Sequence, residues 1–536
     1  MKMVKSLLLS SAAGLFAVAG AQAADLPVKA KAVEYVKICS LYGVGYYYIP
    51  GTDTCIKIGG YVRYEAYHNE PGAAFPNYTA GGVFTRYSNT FAQQARFRLT
   101  TDVRTQTEYG TLRSYFSFGL NWLNQPNEPY AAQSTSATAG LAANAAPGGG
   151  VGFTGNFAMA LERAFIQFAG FTIGRADSFF AFYNGAAYGL VPMQLDGSSG
   201  PAGLNVFAYT WQFGNGLSAS LSAEDAFARS AGVIDAFHTI PAAGTNFGPA
   251  VDTKGQAMPD IVANLRVDQA WGSAQIMGSL HQVGGRYFSG DFPNGQALST
   301  CNIPNTNNCS HPDDKWGWAV GAGLTLKMPW DAKDTLSGVI AYAEGHSRAV
   351  AFGNTNNFLF KSEGIGLGNF NDGVFSAPGR PIGNVGAGYD GSIQLTTAWG
   401  GTVAFEHYWT PALRTAWTFG YLSIEYNDTV KTLQQASGNN CAASGLRSPG
   451  PIGTKNNTFA CDPDWSVWRA TSRTMWNPVA NLDVGLEIAY TKLNTAYEGF
   501  AVSSGNINQG LAPGRYNITD IDVWSATLRV QRSFWP

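Results

Sequence analysis

Pairs of alternating segments joined by very short turns, and set apart from the next pair by long irregular segments, run through most of this 536-residue chain. The segment 55–67 shows the alternation: its even positions from Ile56 to Ala66 are mostly apolar, and its odd positions from Lys57 to Glu65 are mostly polar. A period of two is that of a β-strand with one apolar and one polar face. The apolar face could meet a second sheet or lipid, so alternation alone leaves a soluble sandwich and a membrane barrel open.

The lengths of the connections decide between these two architectures. Sixteen alternating segments lie at 55–67, 95–105, 111–121, 157–169, 171–176, 205–213, 217–225, 260–268, 273–284, 316–328, 335–345, 396–409, 413–426, 465–476, 482–492 and 520–535. Seven short turns, such as Gly214-Asn215-Gly216, and eight long segments rich in Gly, Asn, Ser and Pro connect them in strict alternation. Such long connections are uncommon in compact soluble domains. The pattern therefore predicts an all-β fold, a transmembrane antiparallel barrel of about sixteen strands with long extracellular loops and an aqueous lumen.

The first residues indicate where the chain is sent. Lys2 and Lys5 precede an apolar stretch that ends in Ala21-Gln22-Ala23, which is typical of a secretory signal peptide. This stretch is too short to cross a bilayer as a helix. We expect cleavage between Ala23 and Ala24, and therefore three regions: a signal peptide at 1–23, a periplasmic lead-in segment at 24–54 and the barrel at 55–536.

The composition agrees with an exported barrel and argues against nucleic acid as a partner. Only 13% of the residues are charged, against about 25% in ordinary soluble proteins, while 64 residues are glycine and 13% are aromatic. Without Lys2 and Lys5, 32 basic residues face 36 acidic ones, a formal net charge of -4. A chain of this charge has no general basic surface for nucleic acid.

The six cysteines fall into three local pairs, namely Cys39 with Cys55, Cys301 with Cys309 and Cys441 with Cys461. In an oxidising periplasm this spacing favours three short-range disulfides, although six cysteines formally allow about 15 connectivities. The C-x-x-C spacing of common zinc sites is absent from the sequence, so we expect no metal and no cofactor.

Arginines on three neighbouring segments form the candidate working site. If Phe97 and Leu99 face lipid, the period of two turns Arg96, Arg98 and Arg104 toward the lumen. By the same reasoning the next two segments add Arg113 and Arg163. Arg98 lies about 25 Å from the turn at ~3.3 Å per residue, which is mid-barrel height.

Several stretches resemble the porins of alphaproteobacteria, of the Brucella and rhizobial type. They are Glu34-Tyr35-Val36 with Cys39, Tyr48-Ile49-Pro50-Gly51-Thr52 followed by Cys55 to Tyr64, Thr107 to Arg113, Arg163 to Gly170, and Glu406 to Arg414. The resemblance runs from about residue 30 to the end of the chain. It implies a homotrimer in outer-membrane lipid and lipopolysaccharide, a third long loop folded into the barrel, and diffusion of ions and small hydrophilic solutes. It also implies that Asp177 and Asp196 of that loop face the arginines across the narrowest point, where a transverse field would orient solutes.

Three other functions stay open at this point. A substrate-selective channel would show saturable block of its conductance by one solute. A barrel enzyme would hydrolyse lipid, although none of the six histidines lies in a motif with a nucleophile. An adhesin would use the long loops and is compatible with a channel.

Overall fold

In the computed structural model, sixteen strands close into one antiparallel barrel. The structure describes residues 38–69, 79–81, 91–123, 156–182, 187–191, 203–236, 252–288, 311–351, 356–361, 364–376, 389–436, 446–447, 462–497, 499–503 and 514–534. The barrel strands are β1 (Thr54–His68), β2 (Phe91–Thr107), β3 (Gly110–Leu123), β4 (Asn156–Phe168), β5 (Phe171–Ala176), β6 (Leu204–Gly214), β7 (Leu217–Glu224), β8 (Asp260–Gln269), β9 (Gly272–Val283), β10 (Lys315–Lys327), β11 (Thr335–Glu344), β12 (Thr397–Thr410), β13 (Leu413–Glu425), β14 (Trp465–Trp476), β15 (Leu482–Asn494) and β16 (Ile521–Ser533). Each pairs with its neighbours in chain order, and β1 closes the ring by pairing with β16 between Tyr61↔Ser533 and His68↔Ala526. The predicted fold is confirmed.

The turn between β6 and β7 shows why short connections could be recognised from the sequence. Asn215 and Gly216 both have positive φ angles, of 48° and 73°. This is the backbone of a two-residue turn that matches the right-handed twist of the flanking strands. A Cβ atom on Gly216 would lie 1.9 Å from the carbonyl oxygen of Asp268, so only glycine fits there.

The outer surface carries the band expected of a membrane barrel. Exposed aliphatic side chains such as Ile340 and Ile276 lie at mid-height, with 67% and 60% of their surface exposed. Exposed tryptophans lie near both ends of the strands: Trp271, Trp330, Trp409 and Trp476 near the short turns, and Trp316, Trp318, Trp399 and Trp524 near the long loops. Aromatic girdles above and below an apolar band are typical of outer-membrane barrels. We call the end with the short turns the periplasmic end and the other the outer end.

The long connections are partly regular, which the sequence pattern did not indicate. They contain the short strands Thr79–Gly81, Val233–Asp235, Asn356–Lys361, Gly364–Asn369, Gly373–Phe375, Gln394–Leu395, Leu446–Arg447, Gly499–Ser503 and Gly514–Ile518, the helices α1 (Ala226–Arg229) and α2 (Asp428–Ala436), and the 3-10 turn Ser347–Ala349. Helix α2 begins where the side chain of Asn427 accepts a hydrogen bond from the Val430 amide at 3.0 Å. No helix in the described part of the chain is long and apolar enough to cross a membrane.

These connections fold inward at the outer end and build an apolar core inside the barrel mouth. Phe370 and Val374 from the loop after β11 join Val430 of α2, Leu422 of β13 and Trp465 of β14 in one buried cluster. Among the described residues, none from β2, β3 or β4 belongs to this cluster. Burial of these side chains fixes the loops to the wall of β8–β16.

The carboxylate of Asp372 ties two of these loops together. It accepts hydrogen bonds from the amides of Ala231 at 2.6 Å, Gly232 at 3.1 Å and Ser347 at 2.8 Å. A buried carboxylate is tolerated when several N–H groups satisfy it. The loop after β7 is therefore held against the loop after β11.

The closed barrel leads to a first prediction about the isolated protein. Because every barrel strand has two hydrogen-bonded neighbours, the folded form should resist detergent at room temperature. We expect unheated protein to migrate differently from boiled protein on a denaturing gel, and its circular dichroism in detergent to be rich in β-structure. A predominantly helical spectrum would contradict the fold.

Candidate pore constriction

The mid-barrel wall of β2–β4 is built from arginines that share carboxylates. Arg96 and Arg98 extend from β2 into the lumen, as the period of two predicted. Both contact Glu162 of β4, and the distance from Arg98 Nε to Glu162 Oε2 is 2.7 Å. Arg98 also donates to Ser117 Oγ at 2.9 Å, and Arg96 to the Tyr61 hydroxyl at 3.0 Å. The side chain of Arg98 remains 30% exposed, whereas that of Glu162 is 3% exposed, so the positive group faces the lumen.

A second group of the same kind lies closer to the periplasmic end. Asp102 of β2 accepts two hydrogen bonds from Arg104, at 3.0 and 2.9 Å, and two from Arg113 of β3, also at 3.0 and 2.9 Å. Bidentate pairing of this type is stronger than a single contact and fixes the orientation of both guanidinium groups. One carboxylate therefore neutralises only one of two arginines.

A third group is found on β1 and β16. Glu65 accepts a hydrogen bond from Arg529 Nε at 2.6 Å and from the Tyr67 hydroxyl at 2.8 Å, and Arg63 Nη1 lies 3.8 Å from the same carboxylate. The guanidinium of Arg63 stacks 4.5 Å from the ring centre of Tyr61, which places it beside Arg96. All three groups thus hold two arginines for each acid.

Glu162 was not expected at this site, and a β-bulge explains why it is there. Ser117 pairs with Arg163, but Phe118 pairs with Leu161, so the register shifts at Glu162. A strict period of two would have placed this carboxylate on the lipid face. A charged residue at a lipid-facing position in mid-strand was the available signal, because a bulge turns an extra residue to the other face.

The bulge also places Arg163 at the root of the third loop. Its guanidinium donates to the carbonyl oxygen of Glu162 at 2.7 Å and contacts the carboxylate of Asp177. Asp177 therefore lies beside Arg163 rather than across the lumen from Arg96 and Arg98. Asp196, the other acid predicted to face the wall, is outside the described residues.

The third loop, which follows β5, runs along the inside of the barrel, as the resemblance implied. In the first described part of this loop, the Phe179 carbonyl accepts a hydrogen bond from the side chain of Asn264 of β8 at 2.6 Å. The Phe182 ring then packs against Gly323 of β10, and the Arg266 guanidinium lies 5.3 Å from that ring centre. The loop thus runs from the end of β5 to the part of the wall formed by β8 and β10.

The second described part of this loop, residues 187–191, continues in the same direction. Tyr188 pairs with Ser337 of β11 at 2.6 Å. The Leu190 amide donates to Glu487 of β15 at 2.6 Å, and its carbonyl accepts from Arg529 of β16 at 2.7 Å. Val191 then packs against Tyr67 of β1 and Ala92 at the outer end of β2. Contacts taken in chain order thus follow the order of the strands around the inner wall, from β8 to the outer end of β2.

One buried cluster offers side chains of the type that bind metals. Asp260, His281 and His346 lie together at the outer end, with His281 Nδ1 2.7 Å from Asp260 Oδ1. Ser279 Oγ lies 2.9 Å from His346 Nδ1. The two imidazole rings stack at 4.6 Å with an angle of 13° between them, and a single ion cannot lie in both of two nearly parallel ring planes. The arrangement fits a hydrogen-bonded anchor for the loops better than a metal centre.

The Cys39–Cys55 disulfide predicted from spacing is present and joins the segment before β1 to that strand. The pairs Cys301 with Cys309 and Cys441 with Cys461, and the cleavage site at Ala23 and Ala24, lie outside the described residues. They stay predictions.

Comparison with known proteins identifies a family model, relatives and solved structures that resemble this chain. The family model described as "Porin subfamily" matches residues 25–520. Porin Omp2b of Brucella suis is 30% identical over 347 residues, covering 62% of this chain and 83% of the relative. Porin Omp2b of Brucella neotomae is 32% identical over 280 residues, covering 50% and 64%. Among solved structures, the outer membrane channel DcaP of Acinetobacter baumannii is similar with a TM-score of 0.49 and 15% identity, covering 91% of this chain and 99% of that one.

Proposed function

The chain belongs to the porin subfamily, a family of outer-membrane channels of Gram-negative bacteria, and we propose that its passive diffusion channel prefers anions. The observation that carries the preference is the sharing of Glu65, Asp102 and Glu162 by two arginines each. Each group keeps one formal positive charge, and all three lie on the lumen side of adjacent strands. Rings of fixed cationic side chains attract anions into a pore and lower their entry barrier.

We further propose that Arg96, Arg98, Arg104, Arg113 and Arg163 form one side of the constriction. The support is that the described parts of the third loop follow the inner wall from β8 to β16 and touch β2 only at its outer end, where Val191 packs against Ala92. The space left for solutes would then border the arginines of β2–β4. Asp177 would belong to the same side of the constriction, through its ion pair with Arg163, and Asp196 would supply the opposing negative charge from further along the loop. Dipolar solutes passing between the two charges would be oriented by the field.

Family membership supports further proposals about the oligomeric state, the lipid partners and the processing of the chain. We propose a homotrimer in outer-membrane lipid and lipopolysaccharide, formed after removal of residues 1–23 as a signal peptide. Residues 24–54 would then precede the barrel domain at 55–536. We also propose that the protein acts as a channel and not as an enzyme, so purified protein should not hydrolyse lipid.

Planar bilayer recording tests the proposed function. In a salt gradient, wild-type protein should give stepwise ohmic currents whose reversal potential indicates anion preference, because three arginine groups keep an unneutralised charge. Liposome swelling should fall steadily as the size of an added sugar increases. Absence of conductance would contradict the channel, and a reversal potential on the cation side would contradict the preference. Saturable block by one sugar or dipeptide would instead indicate a substrate-selective channel.

A further inference from the structure

The segment before the first barrel strand folds back onto the lumen face of the wall at the periplasmic end. Residues 38–53, which we call the N-terminal lobe, contain the 3-10 turn Ser40–Tyr42 and the short strand Tyr47–Tyr48. That strand pairs with the start of β1, with Tyr47↔Ile56 and Tyr48↔Cys55. The part of the chain just before this strand runs antiparallel to it, and the Cys39 amide donates to the Tyr46 carbonyl at 2.9 Å. The Cys39–Cys55 disulfide links this part of the lobe covalently to β1.

Two tyrosines of the lobe contact lumen-facing residues of β2. The guanidinium of Arg104 lies 5.6 Å from the ring centre of Tyr42 and 5.1 Å from that of Tyr46. Tyr42 donates its hydroxyl to Gln106 at 3.4 Å. Cation–π contacts of this kind hold an aromatic ring against a guanidinium face. Because Arg104 and Gln106 follow the lumen phase of β2, both rings lie on the lumen side of the wall, with Tyr46 buried and Tyr42 half-buried.

Further contacts fix the position of the lobe. Lys57 donates to the Val44 carbonyl at 3.1 Å, and its ammonium lies 5.6 Å from the ring centre of Tyr46. Burial, together with a hydrogen bond to Asp102, raises the pKa of Tyr46 to about 12, so this hydroxyl stays neutral and donates to the carboxylate. The cluster of Cys39, Tyr46 and Cys55 is buried, with both cysteines at 0 to 1% exposure.

We propose that the N-terminal lobe is a second selecting point of the channel, at its periplasmic mouth. Tyr42 and Tyr46 narrow this mouth and cover part of the positive face of Arg104. Arg104 is the periplasmic end of the proposed arginine wall, and it is six residues from Arg98 on the same strand, about 20 Å at ~3.3 Å per residue. The lobe therefore acts at a different height of the lumen from Arg96 and Arg98. Solutes admitted by the mid-barrel wall would meet an aromatic and cationic surface before they reach the periplasm. The inference rests on the proposed channel function.

Releasing the lobe is the first test. In the C39A/C55A double variant the lobe loses its covalent link, and single-channel conductance in a planar bilayer should rise by roughly 1.5-fold or more as the mouth widens. Polyethylene glycols slightly too large to enter the wild-type pore from the periplasmic side should then enter and reduce the current. Gel mobility before and after heating confirms that the variant barrel has formed.

Two variants that keep the disulfide test the same proposal without the risk that loss of the disulfide impairs folding. Tyr42→Ala and Tyr46→Ala should each raise the conductance, whereas Tyr46→Phe keeps the ring and should restore a value close to wild type. The control is Leu41→Ala, because Leu41 lies in the same lobe with 63% of its surface exposed. When Tyr42→Ala or Tyr46→Ala is combined with Arg98→Ala in a double variant, the two effects on the logarithm of the permeability should add, because the sites are distant.

The outcomes separate this inference from the function on which it rests. If wild-type protein does not conduct, the proposed channel fails. If wild-type protein conducts but C39A/C55A, Tyr42→Ala and Tyr46→Ala all match it in conductance and polymer exclusion, the second selecting point is overturned while the channel stands. A rise in Leu41→Ala equal to that in Tyr46→Ala would also overturn it, because the effect would then not come from the tyrosine contacts.

Discussion

Replacing Arg98 by alanine is expected to shift the reversal potential of the channel toward cations. A unit charge ~8 Å away is worth about 0.5 kcal/mol in water, which changes the local population of an ion about twofold. Ordinary salt does not remove this effect, because ions in the narrow region pass within about one Debye length, ~8 to 10 Å, of the wall. The arginine chosen matters: Arg98 keeps 30% of its side chain exposed, against 15% for Arg96.

The opposite shift is expected from Glu162→Gln. This change removes the carboxylate shared by Arg96 and Arg98 but keeps the size of the side chain, and Ser117, which donates to Glu162 at 3.2 Å, keeps an acceptor. The wall then carries one more net positive charge, so selectivity should move toward anions. Asp196→Asn is expected to act in the same direction as Glu162→Gln if Asp196 faces the lumen.

The control for both variants lies on β2, the strand that carries Arg98. Leu99 alternates with Arg98 and faces the membrane, so Leu99→Ala should leave the reversal potential unchanged. Measurements in a salt gradient at two ionic strengths would also show weaker shifts at higher salt. If Arg98→Ala and Glu162→Gln both leave the reversal potential at the wild-type value, these residues do not line the narrow region, although the channel itself could stand.

The second large effect is expected from Glu487→Ala, which should release the third loop from the wall. Glu487 accepts hydrogen bonds from the amides of Leu190 at 2.6 Å and Val191 at 3.2 Å, and it lies 3.6 Å from Arg469. Both charged side chains are 1% exposed. Removing one member of a buried ion pair costs about 3 kcal/mol or more, because the other charge stays in a low-dielectric site.

Two measurements follow from this release. The temperature at which the folded gel band disappears should fall, and single-channel currents should become noisier and larger as the loop leaves the wall. Glu487→Gln keeps an acceptor for the loop amides and should lie between wild type and Glu487→Ala. Glu108→Ala, in the exposed turn between β2 and β3, is the control. Unchanged stability and unchanged noise in Glu487→Ala would show that this carboxylate does not hold the loop.

Most of the architecture could be derived from the sequence, because a membrane barrel imposes a local rule on every strand. Each strand must show lipid one face and water the other, so the period of two recurs, and each periplasmic turn must be short. The sixteen predicted strands match the observed ones to within a few residues at each end. The lumen phase of Arg96, Arg98, Arg104 and Arg113 followed from the same rule, and spacing alone indicated the Cys39–Cys55 bridge.

The tertiary structure determined the features that the period of two could not predict. The position of Glu162 depends on a bulge, which is a defect in the period of two and adds one residue to one strand only. The path of the third loop depends on contacts such as Leu190 with Glu487, whose residues are 297 positions apart in the chain. The N-terminal lobe depends on the packing of the segment from Cys39 to Tyr48 against the start of β1. Contacts between distant residues leave no periodic signal, so the sequence by itself determined the barrel and its charged wall, and only the folded chain decided which acids, loops and rings narrow the lumen.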